Sequence, residues 1–216
     1  MEIIRIHYNV SKPVEKWSEI KKESDEMRHF IVHGKFKGYY NKAFSLSHCQ
    51  VSETPFSFFV VSPDVMAEKM FKDDVIINPK IVSALPTKKV ESAKVGEFIE
   101  LPNLVKCEEP CMSFPFRKPK NVVRYNEIEV QYQVVSLIGG LKTVSQTLNG
   151  IASEIFQHEY DHCQGKNIYF EREKPVKWWE LKGNPKSKGG TSLDAPESLG
   201  LERAEERRTE EINDFT

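Results

Sequence analysis

The chain has 216 residues, 39% of them hydrophobic, and a formal net charge of −1, which suits one domain with extensions. No apolar run is long enough to span a bilayer, and the amino terminus Met-Glu-Ile-Ile-Arg-Ile-His-Tyr is too polar for a secretory signal core. The balanced charge, with no basic cluster interleaved with aromatics, offers no footprint for nucleic acid. The four cysteines, Cys49, Cys107, Cys111 and Cys163, read as thiols of a reducing cytoplasm, a host's cytoplasm if a virus carries the gene.

In chain order, Ser11 and Pro13 open a segment in which Val14, Trp17, Ile20, Met27, Phe30 and Ile31 recur at helical spacing. The expectation is a helix from there to Gly34, with a capping residue and a proline in its first turn. Residues 35–54 read as irregular. Phe56 to Val61 is a short apolar run bounded by prolines and suits a buried strand. Asp74 to Val82 is a second strand, and Pro79 within it predicts an edge or a bulge. Ile128, Val130, Tyr132 and Val134 alternate with Glu127, Glu129, Gln131 and Gln133, the period of a half-buried strand. Gly139-Gly140 then turns the chain.

From about Thr147 to Gln164 a helix is predicted, with Ile151, Ile155, His158 and His162 on one stripe and Gly165 as its carboxy-terminal cap. Within it, His158-Glu159-Tyr160-Asp161-His162 sets two imidazoles one helical turn apart on one face. Glu159 lies about 100° further round. Two neutral ring nitrogens so placed can hold one divalent cation, with the glutamate beside it to move protons for a bound water. A chance match on a polar helix, or core histidines satisfied by carbonyls, also accounts for the pattern. A third ligand decides between them.

A metzincin would carry that ligand as a histidine six residues after His162, where this chain has Ile168. A thermolysin-like peptidase would use a later glutamate, for which Glu180 is available. Upstream, Glu108-Glu109-Pro110-Cys111-Met112-Ser113 offers the thiolate of Cys111, which would leave a fourth position open to water.

The Glu-x-Cys-x-Ser segment, the alternating strand after it and Gln-His-Glu-x-Asp-His-x-x-Gly together resemble the peptide deformylase family. Asn78-Pro79-Lys80-Ile81, Arg124 and Glu129-Val130-Gln131-Tyr132 fall in the family's order. The resemblance implies an α+β fold, with a mixed or antiparallel sheet around the HExxH helix, in a catalytic domain of residues 1–172. A Trp/Pro/Gly/Lys-rich connector (173–194) and a charged, partly helical tail (195–216) would follow, Trp178 and Trp179 strapping the chain end to the domain.

The function implied is removal of the formyl group from N-formylmethionine of nascent polypeptides, releasing formate. Its partners would be the formylated peptide and the ribosome. The implied metal ligands are Cys111, His158 and His162, holding one divalent ion. Ferrous iron is the family's usual metal, with zinc, nickel or cobalt able to replace it. Glu159 would move the proton, and Gln50 and the Met112 N–H would hold the oxyanion. Ser113 and Asp161 would support them. Phe44, Leu46, Pro110, Arg124, Ile151 and Ile155 are the implied substrate-binding positions. The family's first motif, Gly-x-Gly-Leu-Ala-Ala-x-Gln, aligns with Ala43-Phe44-Ser45-Leu46-Ser47-His48-Cys49-Gln50, which keeps Leu46 and Gln50 and replaces both glycines. Pro110 stands where glycine is usual, and Glu154 where the helix is ordinarily apolar. A metal-dependent peptidase using Glu180, and a protein that binds chain ends without cleaving them, are the two other readings.

Overall fold

A computed structural model describes residues 9–34, 43–91 and 98–169, the side chains of residues 90, 91 and 98–100 excepted. The expected connector and tail, with Trp178, Trp179 and Glu180, lie outside the described residues. In chain order the elements are α1 (Lys21–His33), β1 (Ser45–Ser47), β2 (Phe58–Val61), α2 (Pro63–Ala67), β3 (Val75–Ser83), β4 (Thr87–Glu91) and β5 (Phe98–Pro102). After them come β6 (Leu104–Glu109), β7 (Lys120–Tyr125), β8 (Glu127–Val135), β9 (Leu141–Asn149) and α3 (Ile151–Cys163). None of these helices is long and apolar enough to cross a membrane.

The main sheet is antiparallel, in the order β1-β2-β3-β8-β9, and two separate hairpins pair β4 with β5 and β6 with β7. Both faces of β2 and of the first half of β3 are covered. Phe58, Val60, Val75 and Ile77 point to Ile20, Met27 and Ile31 of the α1 side. Phe59, Val61 and Ile76 point the other way, joining Ile128, Val130, Tyr132, Leu148 and the α3 residues Ala152, Ile155 and Phe156. That is why β2 reads as a continuous apolar run whereas β8, with Glu129 and Gln131 exposed, alternates. Each such buried side chain contributes about 1.5–3 kcal/mol.

Three expectations are corrected by the backbone, and the bulge expected at Pro79 is present. The first helix starts at Lys21, after a 3-10 turn at Trp17–Glu19, because residues 11–14 are drawn into extended pairing. The Ser11 and Lys12 N–H groups donate to Cys163 and Pro55 carbonyls, and the Asn78 side chain accepts from and donates to the backbone of Val14. Asn78 itself sits at φ +49, a left-handed conformation that Asn tolerates, where the register with β8 shifts between Ile77 and Lys80. Pro79 therefore lies in a bulge of an interior strand, where its missing donor breaks no ladder. The stretch read as irregular holds β1 and a 3-10 turn at His48–Gln50. Lastly, Thr147 to Asn149 finish β9 against β8, and only after Gly150 does the last helix begin.

His48 is a structural member of this fold. Its ring stacks on Phe58 with centroids 4.7 Å apart, and its Nδ1 accepts the Phe56 N–H at 2.9 Å. Burial pushes its pKa down to about 4 from 6.5, against a smaller pull from Glu23. A depressed folded-state pKa means that its contribution is whole above pH 6.5 and lost as pH falls to about 4. Unfolding titrations should show roughly 3 kcal/mol lost across that window. In His48→Gln, whose amide oxygen can accept the same hydrogen bond, this part of the slope should disappear.

Candidate metal centre

The helix α3 is fixed at both ends by backbone geometry. At its start Gly150 adopts φ +54 and ψ −134, a region essentially closed to other residues, although a Cβ there would meet nothing within 4 Å. The demand is conformational, and it lets the chain leave β9 and enter α3 at once. Gln157 then clamps the end of β7: its Oε1 accepts the Tyr125 N–H, and its Nε2 and the Ser153 hydroxyl donate to the Tyr125 carbonyl. At the other end Gly165 is left-handed at φ +72. Gly165 N–H donates to His162 O and Lys166 N–H to Asp161 O, a Schellman closure that turns the Lys166 carbonyl back toward the helix.

That closure serves His162, whose Nδ1 lies 3.2 Å from Lys166 O. His158 Nδ1 lies 2.8 Å from Glu109 Oε2. With Nδ1–H donating in each ring, each Nε2 carries the lone pair that can bind a metal. The Nε2 atoms are 3.1 Å apart, Cys111 Sγ is 3.4 Å from that of His162, and all three donors lie within 4.8 Å of one another. Two nitrogens at about 2.1 Å and one sulfur at about 2.3 Å from a tetrahedral cation would stand roughly 3.3–3.6 Å apart. The residues thus fit a divalent metal, and three protein donors are the number that leaves a position for water.

Glu109 ends β6, Cys111 follows in the next turn, and Arg124 sits on the partner strand β7. Arg124 grips Glu109 with two bonds, Nε to Oε1 at 2.7 Å and Nη2 to Oε2 at 2.9 Å, while its Nη1 donates to Asp161 at 2.6 Å. Burial alone would raise the Glu109 pKa. The Arg124 guanidinium and the His158 ring outweigh it and hold the carboxyl at about 2. Burial works against the Arg124 charge as well, yet Glu109 and Asp161 raise its pKa above the usual value. Asp161, Arg124, Glu109 and His158 form one chain of charge-assisted bonds that orients the His158 ring.

Glu159 is buried at 2% exposure, with its carboxylate turned to β1. The Ser45 hydroxyl donates to Oε1 at 2.6 Å and that of Ser47 to Oε2 at 2.5 Å. The same strand places Gln50, whose Oε1 accepts the Ser47 N–H at 2.9 Å, so that its Nε2 faces Ser113 Oγ at 3.3 Å. Cys49 and Cys163 are neutral thiols: burial pushes both up, Cys163 to about 12, and Cys49 donates to the His162 carbonyl. Burial and the neighbouring Glu109 raise Cys107 to about 12 as well.

The family model for polypeptide deformylase matches residues 5–178. The chain belongs to the peptide deformylase family. A peptide deformylase of Thermotoga neapolitana is 30% identical over 125 residues, covering 55% of this chain and 63% of that protein. The chloroplastic peptide deformylase 1B of rice, Oryza sativa subsp. japonica, is 40% identical over 65 residues, 30% of this chain and 22% of the relative. The matched segments thus span less than two thirds of either relative's length. Among solved structures, the peptide deformylase of Thermotoga maritima has a TM-score of 0.54 and 26% identity, covering 78% of this chain and 97% of its own.

Against the deformylase motifs, the structure brings Cys111, His158 and His162 together and sets Gln50 and Ser113 beside each other. It gives the implied substrate-binding residues different surroundings. Phe44 and Ile151 are 57% and 58% exposed, and Pro110 is exposed. Leu46 is fully buried in the α1-side core, and Ile155 lies in the α3-side core. The Arg124 guanidinium is engaged with Glu109 and Asp161. Neither Ala43 nor Ser45 has positive φ, so the glycines of the deformylase motif are replaced here without backbone strain. The sequence placed Glu109 in the cysteine's motif without a role, and gave no role to Ser45 and Ser47. The signal for the two serines was their spacing of two on either side of Leu46, which in a strand turns both hydroxyls to one face.

Proposed function

We propose that the chain is a metal-dependent peptide deformylase that removes the formyl group from N-formylmethionine at the start of nascent polypeptides and releases formate. The observation that carries this reading is the convergence of Cys111, His158 and His162, with Glu159 beside them on the same helix, in a chain of this family. Cys111, His158 and His162 would hold a divalent cation, which we infer to be ferrous iron and which would supply Lewis acidity and make a water easier to deprotonate.

The remaining work belongs to side chains and backbone of this protein. Glu159 accepts the proton from the attacking water and returns it to the departing amine. Gln50 Nε2, fixed in direction by the Ser47 N–H on the other end of its amide, donates to the oxyanion together with the Met112 N–H. Phe44 and Ile151, exposed apolar side chains near the two ends of this machinery in sequence, are the candidates for contact with the methionine side chain. The formylated peptide, met as it leaves the ribosome, is the partner this chemistry requires. Four free cysteines support placement in the cytoplasm, a host's if a virus carries the gene.

The test is anaerobic loading with ferrous iron, or reconstitution with nickel, followed by formate release from formyl-Met-Ala-Ser. Turnover is expected in the wild type, and Cys111→Ala should lose its metal. Metal-loaded wild type that releases no formate overturns the enzymatic reading in favour of chain-end binding. A Cys111→Ala protein that keeps its metal would restore the peptidase alternative.

A further inference from the structure

The first motif departs from its family at two positions that meet the Glu159 carboxylate. Ser45 replaces a glycine and Ser47 an alanine of the motif, neither of which carries a hydroxyl. Here one serine holds each carboxylate oxygen, at 2.6 and 2.5 Å. Both come from β1, which pairs with β2 through Ser45 to Val61 and Ser47 to Phe59, so their spacing is fixed by a strand backed by buried residues. Ser47 is wholly buried and also contacts the Glu159 carbonyl at 3.2 Å, tying the side chain and backbone of one residue to one hydroxyl.

Building on the deformylase reading, we infer that Ser45 and Ser47 are positioning residues, a two-point clamp that holds the Glu159 carboxylate in the orientation for proton transfer. A buried carboxylate without donors would be strongly unfavourable, and with one donor it could still rotate about its terminal bond. Two donors on a rigid strand remove that rotation. Each carboxylate oxygen has about two lone-pair sites, so one serine per oxygen leaves a site on each for the travelling proton. In relatives with glycine and alanine at these places the carboxylate must be oriented by other means. In this chain the orientation is built into β1.

The clamp separates from a merely structural role by a pair of variants of equal shape at residue 45. Ser45→Thr keeps the hydroxyl and Ser45→Val removes it, and a strand accepts the branched side chain of either. Each is loaded with metal, its metal content is measured, and kcat and KM for formyl-Met-Ala-Ser are determined. The expected result is a kcat for Ser45→Val about 10–100-fold below that of Ser45→Thr, with KM within about 2-fold and equal metal content. Ser47→Ala, which adds no atoms to the buried site, should lower kcat in the same way.

Equal kcat for the Thr and Val variants, with Ser47→Ala as fast as wild type, overturns the clamp while leaving the deformylase reading intact. Activity lost in proportion to metal overturns it too, since the serines would then be holding the ligand set together. A metal-loaded wild type that releases no formate overturns both the clamp and the reading beneath it.

Discussion

In Glu159→Gln, formate release from formyl-Met-Ala-Ser should fall by about 10³-fold at saturating substrate, with metal content and KM close to wild type. General acid–base catalysis by a positioned side chain contributes about 10²–10⁴-fold, and the amide has no basic oxygen of comparable strength. The substitution is nearly isosteric, which matters at a residue only 2% exposed. Its oxygen can still accept one serine hydroxyl, and the other serine can turn to accept from the new amide, so no buried polar atom is stranded. The ligand rings are untouched, since His158 and His162 are oriented by Glu109 and the Lys166 carbonyl. A loss of kcat with bound metal and unchanged KM is the signature of a group that acts only in the transition state. A variant as active as wild type would remove Glu159 from the proton path.

The readable part of this site was the part that is local in sequence. His158 and His162 share a helix face because they are four residues apart, and Gly165 signals the closure that brings the Lys166 carbonyl to His162. Cys111 stood out by its company with Glu and Ser at fixed spacing. What escaped were roles set by register between distant strands. Ser45 and Glu159 are 114 residues apart, and no period in either segment says that they meet. Glu109 was read as part of the cysteine's segment. Its role appears only when the β6–β7 hairpin sets Arg124 beside it and α3 brings His158 above. The fold shows the same division. β2 and β8 announced themselves, being covered on two faces or one, whereas β6, with alternately exposed and half-buried residues, presents no apolar pattern to read. The true start of α1 was hidden because tertiary hydrogen bonds to residues 11–14 override their helical spacing.

The largest effect on stability should come from Glu109→Gln. The carboxylate accepts two bonds from Arg124 and one from His158 Nδ1, and its side chain is 8% exposed. Replacing it leaves a buried guanidinium with Asp161 as its remaining carboxylate, the situation in which breaking a buried ion pair costs about 3–5 kcal/mol. The pKa difference gives a similar figure. The carboxyl is held at about 2 against 4.5 for the free group, which corresponds to roughly 3 kcal/mol. Because the folded-state value is the lower one, the contribution is whole above pH 4.5 and is lost as pH falls toward 2. Denaturant unfolding of the metal-free proteins should therefore show wild type ahead of Glu109→Gln by about 3 kcal/mol at pH 7, with the gap closing below pH 4.5. Metal binding should weaken by about 10–100-fold in the same variant, since the amide orients the His158 ring less firmly than the carboxylate. Equal unfolding midpoints at pH 7 would show that Asp161 alone satisfies Arg124. Equal metal affinity would show that the helix alone, without Glu109, holds His158 to the metal.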